Sequence, residues 1–524
     1  MAPLAAFFVA VALAGAPAPA AAEPLADVLR VSVAGAAAAD DDTARFYRAR
    51  AFAPIWFGPG APERRAALVQ ALEVADAHGL PAGRHDAAGL RAAFAAATTP
   101  AEVGALEVET TRLLLRLARQ AASGVVEPAE VDPLIRVEPP RPDAAALLGA
   151  FVGSDPQDAL RAIWPSSPAY VRLLREKLRL EALRERGGWG RDAGAEPLRP
   201  GDAGAAVVAL RDRLVRMGYL RPTPSARYDD ALVEAVRAFQ TDHGLAPDGA
   251  AGEATLRALN VPVEDRIAQL ALALERRRWL NRPLEPRHVL VNLAEQHAYV
   301  VDDGVVTFDT VVVVGADESG RRTPEFAETM THMVANPSWY VPRSIAVGEY
   351  LPALRRGGAR HLEVHSSGGR VDPARIDFSR YTEKTFPYSL RQPPGPSNAL
   401  GRVKFMFPNA LNIYLHDTPS RDLFARELRT FSHGCVRVAR PLELAYHLLA
   451  PQSVAPQAEF DAVLATGRER RIDLETPIGV HLVYWTAWVK PDGRAQYRGD
   501  PYGRDARLQE ALREAGVELG LQPS

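Results

Sequence analysis

The sequence predicts a multidomain α+β protein with a helical N-terminal part and a mainly-β C-terminal part. Residues 23–197 are rich in Ala, Leu and Arg, and their apolar residues recur at helical spacing. From Arg287 onwards, short β-branched runs bounded by turn residues replace that spacing. The second part also contains Cys435, the only cysteine among 524 residues. These observations predict a helical scaffold followed by a β domain that carries a single thiol.

Composition excludes several classes of protein. The chain is 47% hydrophobic, enough for a full core in several domains. Its 62 basic and 64 acidic residues give a formal charge of −2, so no nucleic-acid partner is predicted. One cysteine cannot form an intramolecular disulfide. No metal or cofactor is predicted.

The first residues are typical of an exported protein. An apolar run from Leu4 to Leu13 is followed by the small residues Ala20-Ala21-Ala22. This pattern predicts a signal peptide over residues 1–22. The run is shorter than the about 20 apolar residues that span a bilayer, so no transmembrane segment is expected after cleavage. A buried N-terminal helix is the alternative.

Two α-helical regions follow. Residues 23–197 contain helical periods such as 66–75 and 106–118 with no polar constellation, and they are predicted to be a helical scaffold domain. Residues 198–260 contain three short helices with glycines at the turns. Their order of motifs is Gly201-x-x-Gly204, Gly218-Tyr-Leu, Ala235-Val-x-x-Phe-Gln and Asp248-Gly-x-x-Gly-x-x-Thr.

That order resembles the peptidoglycan-binding domain type 1, which implies a small three-helix bundle that binds peptidoglycan. A bundle that keeps the fold without the ligand is the alternative, because the matched residues are mainly turn and core positions. Residues 261–286 are predicted to be a connecting helix, with basic residues at its C-terminal end.

The mainly-β domain is predicted over residues 287–502, and residues 503–524 are predicted to be a C-terminal tail. Within the β domain, residues 342–396 form a long Gly-, Pro- and Arg-rich insertion. Long insertions are often functional, so we hypothesise that this insertion forms a lid over the active site. A surface insertion without a function is the alternative.

The stretch from Ile413 to Pro419 and the segment from Phe431 to Val438 carry the chemistry. Cys435 follows Ser432-His433-Gly434, and a second histidine, His416, lies upstream. A thiol attacks as its thiolate, so it needs a nearby base or positive charge to lower its pKa. The neighbouring glycine lets a substrate carbonyl approach consecutive N–H groups.

This arrangement resembles the catalytic domain of the L,D-transpeptidase (YkuD) family, in particular large periplasmic members with an N-terminal scaffold and a peptidoglycan-binding domain. The resemblance implies a YkuD-like fold with Cys435 as nucleophile and His416 as base. His433 is the alternative base, although an adjacent residue rarely reaches its neighbour's sulfur. A structural cysteine is the remaining alternative.

The other site residues are assigned from their positions around this motif. Two N–H groups of the motif, those of Gly434 and Cys435, are expected to hold the oxyanion, together with that of His433. The resemblance implies that a backbone carbonyl, that of Asp417, orients His416. The Asp417 side chain is the less favoured partner, because adjacent side chains on a strand point opposite ways. Substrate-binding roles are expected for three residues: Arg437, Ser432 and Tyr414. An internally paired Arg437 is the alternative.

One further pattern could indicate a metal site. His361 and His365 are four residues apart, as two zinc ligands on a helix would be. No third ligand is evident and the surroundings are glycine-rich, so solvated loop histidines are the preferred interpretation.

The resemblance implies a periplasmic cysteine acyltransferase that acts on peptidoglycan stem peptides. It would form 3-3 cross-links through a thioester and release D-Ala. An L,D-carboxypeptidase, an enzyme that attaches proteins to peptidoglycan, and an inactive peptidoglycan-binding protein are the alternatives.

Overall fold

The computed structural model describes residues 27, 28, 31 and 42–519. The predicted signal peptide, residues 1–22, lies outside the described residues. No helix in the described part of the chain is both long and apolar enough to cross a membrane.

The helices and strands follow one another in a mixed order. The helices are α1 Asp42–Ala49, α2 Ala61–Glu73, α3 Ala87–Ala96, α4 Pro100–Ser123, α5 Pro128–Val131, α6 Ala144–Gly153, α7 Pro156–Arg161, α8 Pro168–Glu185, α9 Ala205–Met217, α10 Asp230–Asp242, α11 Glu253–Leu259, α12 Val263–Trp279, α13 Arg343–Ile345, α14 Leu351–Arg355, α15 Pro441–Leu449, α16 Pro456–Ala465 and α17 Arg504–Glu514. The strands are β1 Arg287–Asn292, β2 His297–Asp302, β3 Val305–Gly315, β4 Phe326–Ala335, β5 Trp339–Tyr340, β6 Glu363–Ser366, β7 Gly369–Val371, β8 Ser389–Gln392, β9 Val403–Met406, β10 Leu415–His416, β11 Thr430–Ser432, β12 Val436–Val438, β13 Arg470–Val483, β14 Ala487–Val489 and β15 Ala495–Tyr497. The α+β class predicted from the sequence is confirmed.

The chain forms two compact units. One contains the described residues up to 122 together with 141–165, and it is helical. Its core includes a buried carboxylate that the sequence analysis did not detect, Glu107. This side chain accepts hydrogen bonds from the Tyr47 hydroxyl at 2.6 Å and from the Trp56 N–H at 3.0 Å. Glu107 therefore ties α4 to α1 and to the loop that follows α1.

The second unit contains residues 123–140 and everything from Ser166 onwards. The predicted scaffold of residues 23–197 is therefore divided, because α8 belongs to this unit. Tyr170, Leu173 and Leu180 of α8 are buried in one cluster with Ile267 and Leu270 of α12. The apolar face of α8 therefore packs against α12, within the second unit.

The three-helix bundle consists of α9, α10 and α11 around one buried apolar cluster. Its sequence motifs hold the turn before α11. Gln240 donates to the Asp248 carboxylate at 2.7 Å, and the Gly249 N–H donates back to the Gln240 side chain at 2.9 Å. Gly249 has φ +80°, which glycine adopts without strain.

Helix α12, which was predicted to be a connecting helix, is largely buried. Its basic C-terminal residues form internal ion pairs, with Arg278 on Glu275 at 2.6 Å and Arg276 on Asp505 at 2.5 Å. The predicted interaction of these arginines with the helix dipole is therefore secondary to pairing with carboxylates.

The predicted C-terminal tail instead contains α17. Leu508 and Leu512 of this helix are buried against α12, in one cluster with Leu272 and Trp279. Arg504, at the start of α17, is fully buried and pairs with Asp132 and Glu325. Helix α17 is amphipathic, and its buried face packs on α12 and on the residues around Asp132.

The β domain is a closed sheet with the strand order β11-β3-β12-β10-β9-β4-β13-β1-β2, which also pairs β2 with β3. Leu415 and Val436 contribute to its interior, which is filled by apolar residues. Helices α15 and α16 pack on this core through Leu444, Leu448 and Phe460. The hairpin β14–β15 lies outside the closed sheet.

The insertion is folded. It contains a second sheet of order β5-β8-β6-β7 and a helical segment made of α13, a π-helical turn Ala346–Tyr350 and α14. Trp339, Leu351, Val364 and Phe386 belong to its own apolar core. Because His365 lies in β6, the two histidines at helical zinc spacing do not share a helix face. No group of metal-ligating side chains occurs in the described part of the chain.

We expect Leu508→Ala to lower the free energy of unfolding by about 2–5 kcal/mol, because it leaves a cavity between α17 and α12. Urea denaturation followed by circular dichroism measures the change. The control is Arg513→Ala on the exposed face of α17, which should stay within about 0.5 kcal/mol of the wild type. Equal stability of both variants would mean that α17 is dispensable.

Candidate active site

Cys435 lies in the turn between β11 and β12, beside the end of β10. Strand β10 runs parallel to β12 and pairs His416 with Arg437. Just before this pair, the Val436 N–H donates to the carbonyl of Tyr414, two residues before His416, at 3.1 Å. Side chains alternate along a strand, so Tyr414 and His416 share a face with Cys435 and Arg437.

The turn that carries Cys435 is held by hydrogen bonds within the motif. The Gly434 N–H donates to the Ser432 hydroxyl at 3.1 Å, and that hydroxyl donates to the Cys435 carbonyl at 2.5 Å. The Thr323 hydroxyl donates to the Gly434 carbonyl at 2.8 Å. Gly434 has φ +112°, and a Cβ there would lie 3.1 Å from the Ile413 side chain. Glycine is therefore required for conformation and for space.

Two of the predicted site residues have partners within the turn. The N–H of Gly434 donates to the Ser432 hydroxyl, so service as an oxyanion donor would require it to give up this hydrogen bond. Ser432 is only 2% exposed, and its hydroxyl takes part in both hydrogen bonds that hold the turn. The N–H groups of Cys435 and His433 have no acceptor among the residues that the structure describes.

His416 is oriented by a backbone carbonyl. Its Nδ1 lies 2.5 Å from the Asp417 carbonyl, which can only accept, so the proton is on Nδ1 and Nε2 is the basic nitrogen. The Asp417 carboxylate points elsewhere and accepts from the N–H groups of Arg402 and Thr418 at 2.8 and 2.7 Å. The carbonyl contact that the family resemblance implied is present.

Burial keeps both reactive groups neutral. It lowers the pKa of His416 to about 3, and the cations of Arg437 and Lys404 lower that pKa further. Burial also raises the pKa of Cys435 to about 11, an increase that Tyr414 hydrogen bonds and Arg437 only partly offset. Cys435 keeps some solvent exposure, so a reagent can reach it. Desolvation thus disfavours both the thiolate and the imidazolium in the absence of substrate.

His433 faces the insertion. Its Nε2 lies 2.5 Å from the Glu349 carboxylate in the π-helical turn, and its Nδ1 lies 3.4 Å from Arg321. The Arg321 guanidinium and the Glu349 carboxylate are 3.9 Å apart. The imidazole therefore connects the turn that carries Cys435 to the insertion.

Arg437 is half-buried and forms no ion pair with any carboxylate in the described part of the chain, where its Nε also has no acceptor. Burial lowers the pKa of Arg437, and the neighbouring Arg321 cation has the same effect. The alternative of an internally paired arginine is therefore wrong for the described residues.

Tyr414 lies at the junction of two cores. Its ring packs against the interior of the closed sheet and against the core of the insertion. The ring centroid is 5.7 Å from that of His416. Burial raises the pKa of the Tyr414 hydroxyl, which stays protonated.

The sequence analysis missed the roles of four residues around the site: Thr323, Glu349, Arg321 and Lys404. Thr323 and Glu349 lie far from the motif in sequence, and no local pattern distinguishes them. Lys404 follows Gly401-Arg402, and it pairs directly with His416 across β9 and β10. Its position opposite a histidine could have been found only from the strand register.

Comparisons with known protein families agree with this architecture. Residues 286–455 match the YkuD family, described as the L,D-transpeptidase catalytic domain. Residues 41–178 match a scaffold domain, and residues 203–259 match a "Putative peptidoglycan binding domain".

Individual proteins are similar over part of the chain. A "Putative L,D-transpeptidase" of Haemophilus influenzae is 33% identical over 229 residues, which is 43% of this chain. The chain spans 45% of that relative's length. Among solved structures, an L,D-transpeptidase from Xylanimonas cellulosilytica is 20% identical, with 55% of this chain and 98% of that chain covered and a TM-score of 0.17. One from Stackebrandtia nassauensis is 16% identical, with 55% and 97% covered and a TM-score of 0.22.

We expect the rate of alkylation of Cys435 by iodoacetamide to rise about tenfold per pH unit from pH 7 to 10, because a thiol of pKa about 11 gains thiolate throughout that range. Mass spectrometry of the proteolytic peptide that contains Cys435 measures the rate, and no second cysteine competes for the reagent. Free cysteine, with a pKa of about 8.5, is the control and should level off above about pH 9. A plateau for the protein near pH 7 would reveal a thiolate–imidazolium pair and contradict the neutral site.

Proposed function

We propose that this protein, whose catalytic domain belongs to the YkuD L,D-transpeptidase family, is a peptidoglycan L,D-transpeptidase that forms 3-3 cross-links. The observation that carries the proposal is a neutral His416, with Nε2 as its basic nitrogen, on the same face as the only thiol in the chain. The match of residues 286–455 to the catalytic domain of that family supports the same conclusion.

In the first half-reaction, Cys435 Sγ attacks the carbonyl of the diaminopimelate residue in a tetrapeptide stem. The thiol proton moves to His416 Nε2 as the carbon–sulfur bond forms, so the ion pair arises only during attack. The N–H of Cys435, which has no acceptor among the described residues, is suited to hold the oxyanion. Collapse breaks the peptide bond, His416 returns the proton to the leaving amine, and D-Ala departs.

In the second half-reaction, the side-chain amine of another stem attacks the thioester. His416 takes a proton from that amine and gives it to the departing Cys435 sulfur. A new amide joins the two stems, and the thiol is regenerated. Both halves use the same base and the same oxyanion donor, so one geometry serves for acylation and transfer.

Arg437 is the proposed receptor for a stem-peptide carboxylate. Its guanidinium lies on the face that carries Cys435 and has no protein carboxylate in the described part of the chain. A planar guanidinium can hold a carboxylate through two parallel hydrogen bonds. Tyr414, beside His416, is proposed to contact the bound peptide.

The insertion is proposed to be a lid that limits hydrolysis of the thioester. Its Glu349 contacts His433, which belongs to the catalytic motif. Its apolar core also reaches Tyr414, next to His416. A cover in this position would exclude water while an amine acceptor binds.

The proposed setting is the periplasm, reached by means of the signal peptide over residues 1–22. Peptidoglycan is the proposed partner of the three-helix bundle as well, because residues 203–259 match a domain described as peptidoglycan-binding. The proposed domain boundaries are those predicted from the sequence, with two changes. Helix α8 is assigned to the second compact unit, and α17 replaces the proposed C-terminal tail as a helix that packs on α12.

The test is incubation of the purified chain with disaccharide-tetrapeptide muropeptides, followed by mass spectrometry. We expect D-Ala release and a cross-linked dimer from the wild type, and neither product from Cys435→Ala. A tripeptide product without dimer would indicate a carboxypeptidase. A Cys435→Ala variant that still forms dimer would contradict the proposed nucleophile.

We expect His416→Ala to slow D-Ala release by about 10²–10⁴-fold, because the thiol loses its proton acceptor. Single-turnover release of D-Ala measures the acylation step. His361→Ala, at an exposed histidine of the insertion, is the matched control and should be unaffected. Unchanged release by the His416 variant would assign the base elsewhere.

We expect Glu349→Gln to raise the ratio of hydrolysed tripeptide to dimer about two- to fivefold, because a partly exposed contact between polar side chains contributes at most about 1 kcal/mol to closure. The product ratio from the same mass spectra measures this effect. Glu383→Gln is the control, since Glu383 is an exposed carboxylate of the same insertion. An identical ratio in both variants would remove Glu349 from lid closure.

A further inference from the structure

A cavity of about 300 Å³ lies away from Cys435, where the three-helix bundle meets α8, α12 and the hairpin β14–β15. All of these elements belong to the second compact unit. We call this space the junction cavity. Its walls include aromatic side chains from three elements, Trp189, Tyr219 and Tyr497, together with the guanidinium of Arg266.

Arg266 is the feature of the junction cavity that needs a ligand. The side chain is only 8% exposed, yet it forms no ion pair with a carboxylate of the described chain. It donates to the Gln269 side chain at 2.8 Å and to the Ala258 carbonyl at 3.4 Å, and it lies 4.5 Å from the centre of the Tyr497 ring. Its Nε has no acceptor among the residues that the structure describes. A buried cation of this kind is costly unless an anion joins it.

The other charged groups of the cavity are already paired. Glu176 accepts two hydrogen bonds of 2.7 Å from Arg179. Asp242 accepts from Gln496 at 2.5 Å and lies 3.9 Å from Arg494. Three arginines thus face two carboxylates.

His243 adds no charge, because burial lowers its pKa to about 3. The junction cavity therefore has one uncompensated positive charge, located on Arg266.

A second unpartnered donor points to the same conclusion. Trp189 is 8% exposed, and its indole N–H has no acceptor in the described part of the chain. An indole N–H can only donate, so it needs an oxygen such as a peptide carbonyl or a sugar hydroxyl. The cavity thus combines a carboxylate receptor, a second donor and aromatic walls within about 300 Å³.

We propose that the junction cavity is a second binding site for a carboxylate-bearing peptidoglycan stem peptide, held by Arg266 and Trp189. The choice of stem peptide rests on the proposed function. A stem peptide offers free carboxylates for Arg266 and carbonyl oxygens for Trp189. The bundle that forms one wall matches a domain described as peptidoglycan-binding. Occupation of this site would hold a strand of the wall on the enzyme while Cys435 reacts with another stem.

The test is isothermal titration calorimetry on the full chain with Cys435→Ala and Arg437→Gln. This background removes turnover and the proposed carboxylate contact of the catalytic site. The two probes are a disaccharide-tetrapeptide and the same muropeptide with its carboxyl groups converted to amides. We expect the free acid to bind, and we expect the amide to bind about tenfold or more weakly, because a charge-assisted hydrogen bond is lost.

Arg266→Met in this background should weaken binding of the free acid by about tenfold or more. Arg237→Gln is the control, because it removes the same charge from an exposed position of the same bundle. Ala238→Phe, which fills the cavity from α10, should also weaken binding and gives a second variant if Arg266→Met does not fold. Circular dichroism melting of each variant checks folding.

The proposal would be overturned if the acid and the amide bound with equal affinity. It would also be overturned if the folded Arg266→Met and Ala238→Phe variants bound the acid with unchanged affinity, or if the Cys435→Ala and Arg437→Gln background bound neither probe. Failure of the proposed function is a separate outcome, because D-Ala release by the chain with Cys435 and Arg437 intact is measured independently. Persistent D-Ala release without binding at the junction cavity would reject only the second site.

Discussion

The parallel pairing of β10 with β12 is the constraint on which the candidate site depends. His416 and Cys435 lie on different strands, and only this register puts their side chains on one face. A slip of one residue would turn one of them towards the interior of the closed sheet. Leu415 and Val436 prevent such a slip, because both are fully buried in that interior. The apolar core of the sheet thus determines the geometry of the polar groups on its other face.

The same burial favours the neutral forms of Cys435 and His416 at rest. Removal of water disfavours the thiolate and the imidazolium alike, and the cations of Arg437 and Lys404 make a protonated His416 still less favourable. A neutral thiol is a weaker nucleophile and also a poorer target for oxidation. The proposed mechanism therefore separates charge only when a substrate carbonyl is present, where the oxyanion and the Arg437 cation can stabilise it.

Four arginines withdrawn from water form two groups that differ in their partners. Arg278 and Arg504 are fully buried and paired with carboxylates: Arg278 with Glu275 of its own helix, and Arg504 with Asp132 and Glu325 of separate segments. Arg437 and Arg266 are also withdrawn from water, but neither has a carboxylate partner in the described part of the chain. An arginine of the first group stabilises the fold, whereas an arginine of the second group has donors available for a ligand.

Much of this molecule could be predicted from short stretches of sequence. The helical and strand periods indicated the α+β class. The family resemblance implied the contact between His416 and the Asp417 carbonyl, and the alternation of strand side chains argued against the Asp417 carboxylate. Those inferences depend on neighbours within a few residues. Residues distant in sequence could not be assigned in this way, since nothing near Glu349 indicates His433 as its partner and nothing near α17 indicates a buried surface on α12.

The sequence by itself determined the motif around Cys435, the upstream histidine and the order of the domains, because each is written in local spacing and residue type. Only the tertiary structure decided which N–H groups of the motif lack an acceptor among the described residues, how far burial shifts the two pKa values, and that Arg266 and Arg437 have no carboxylate partner within the same residues. These properties depend on which distant groups surround a residue and how much water they exclude, and folding alone brings those groups together.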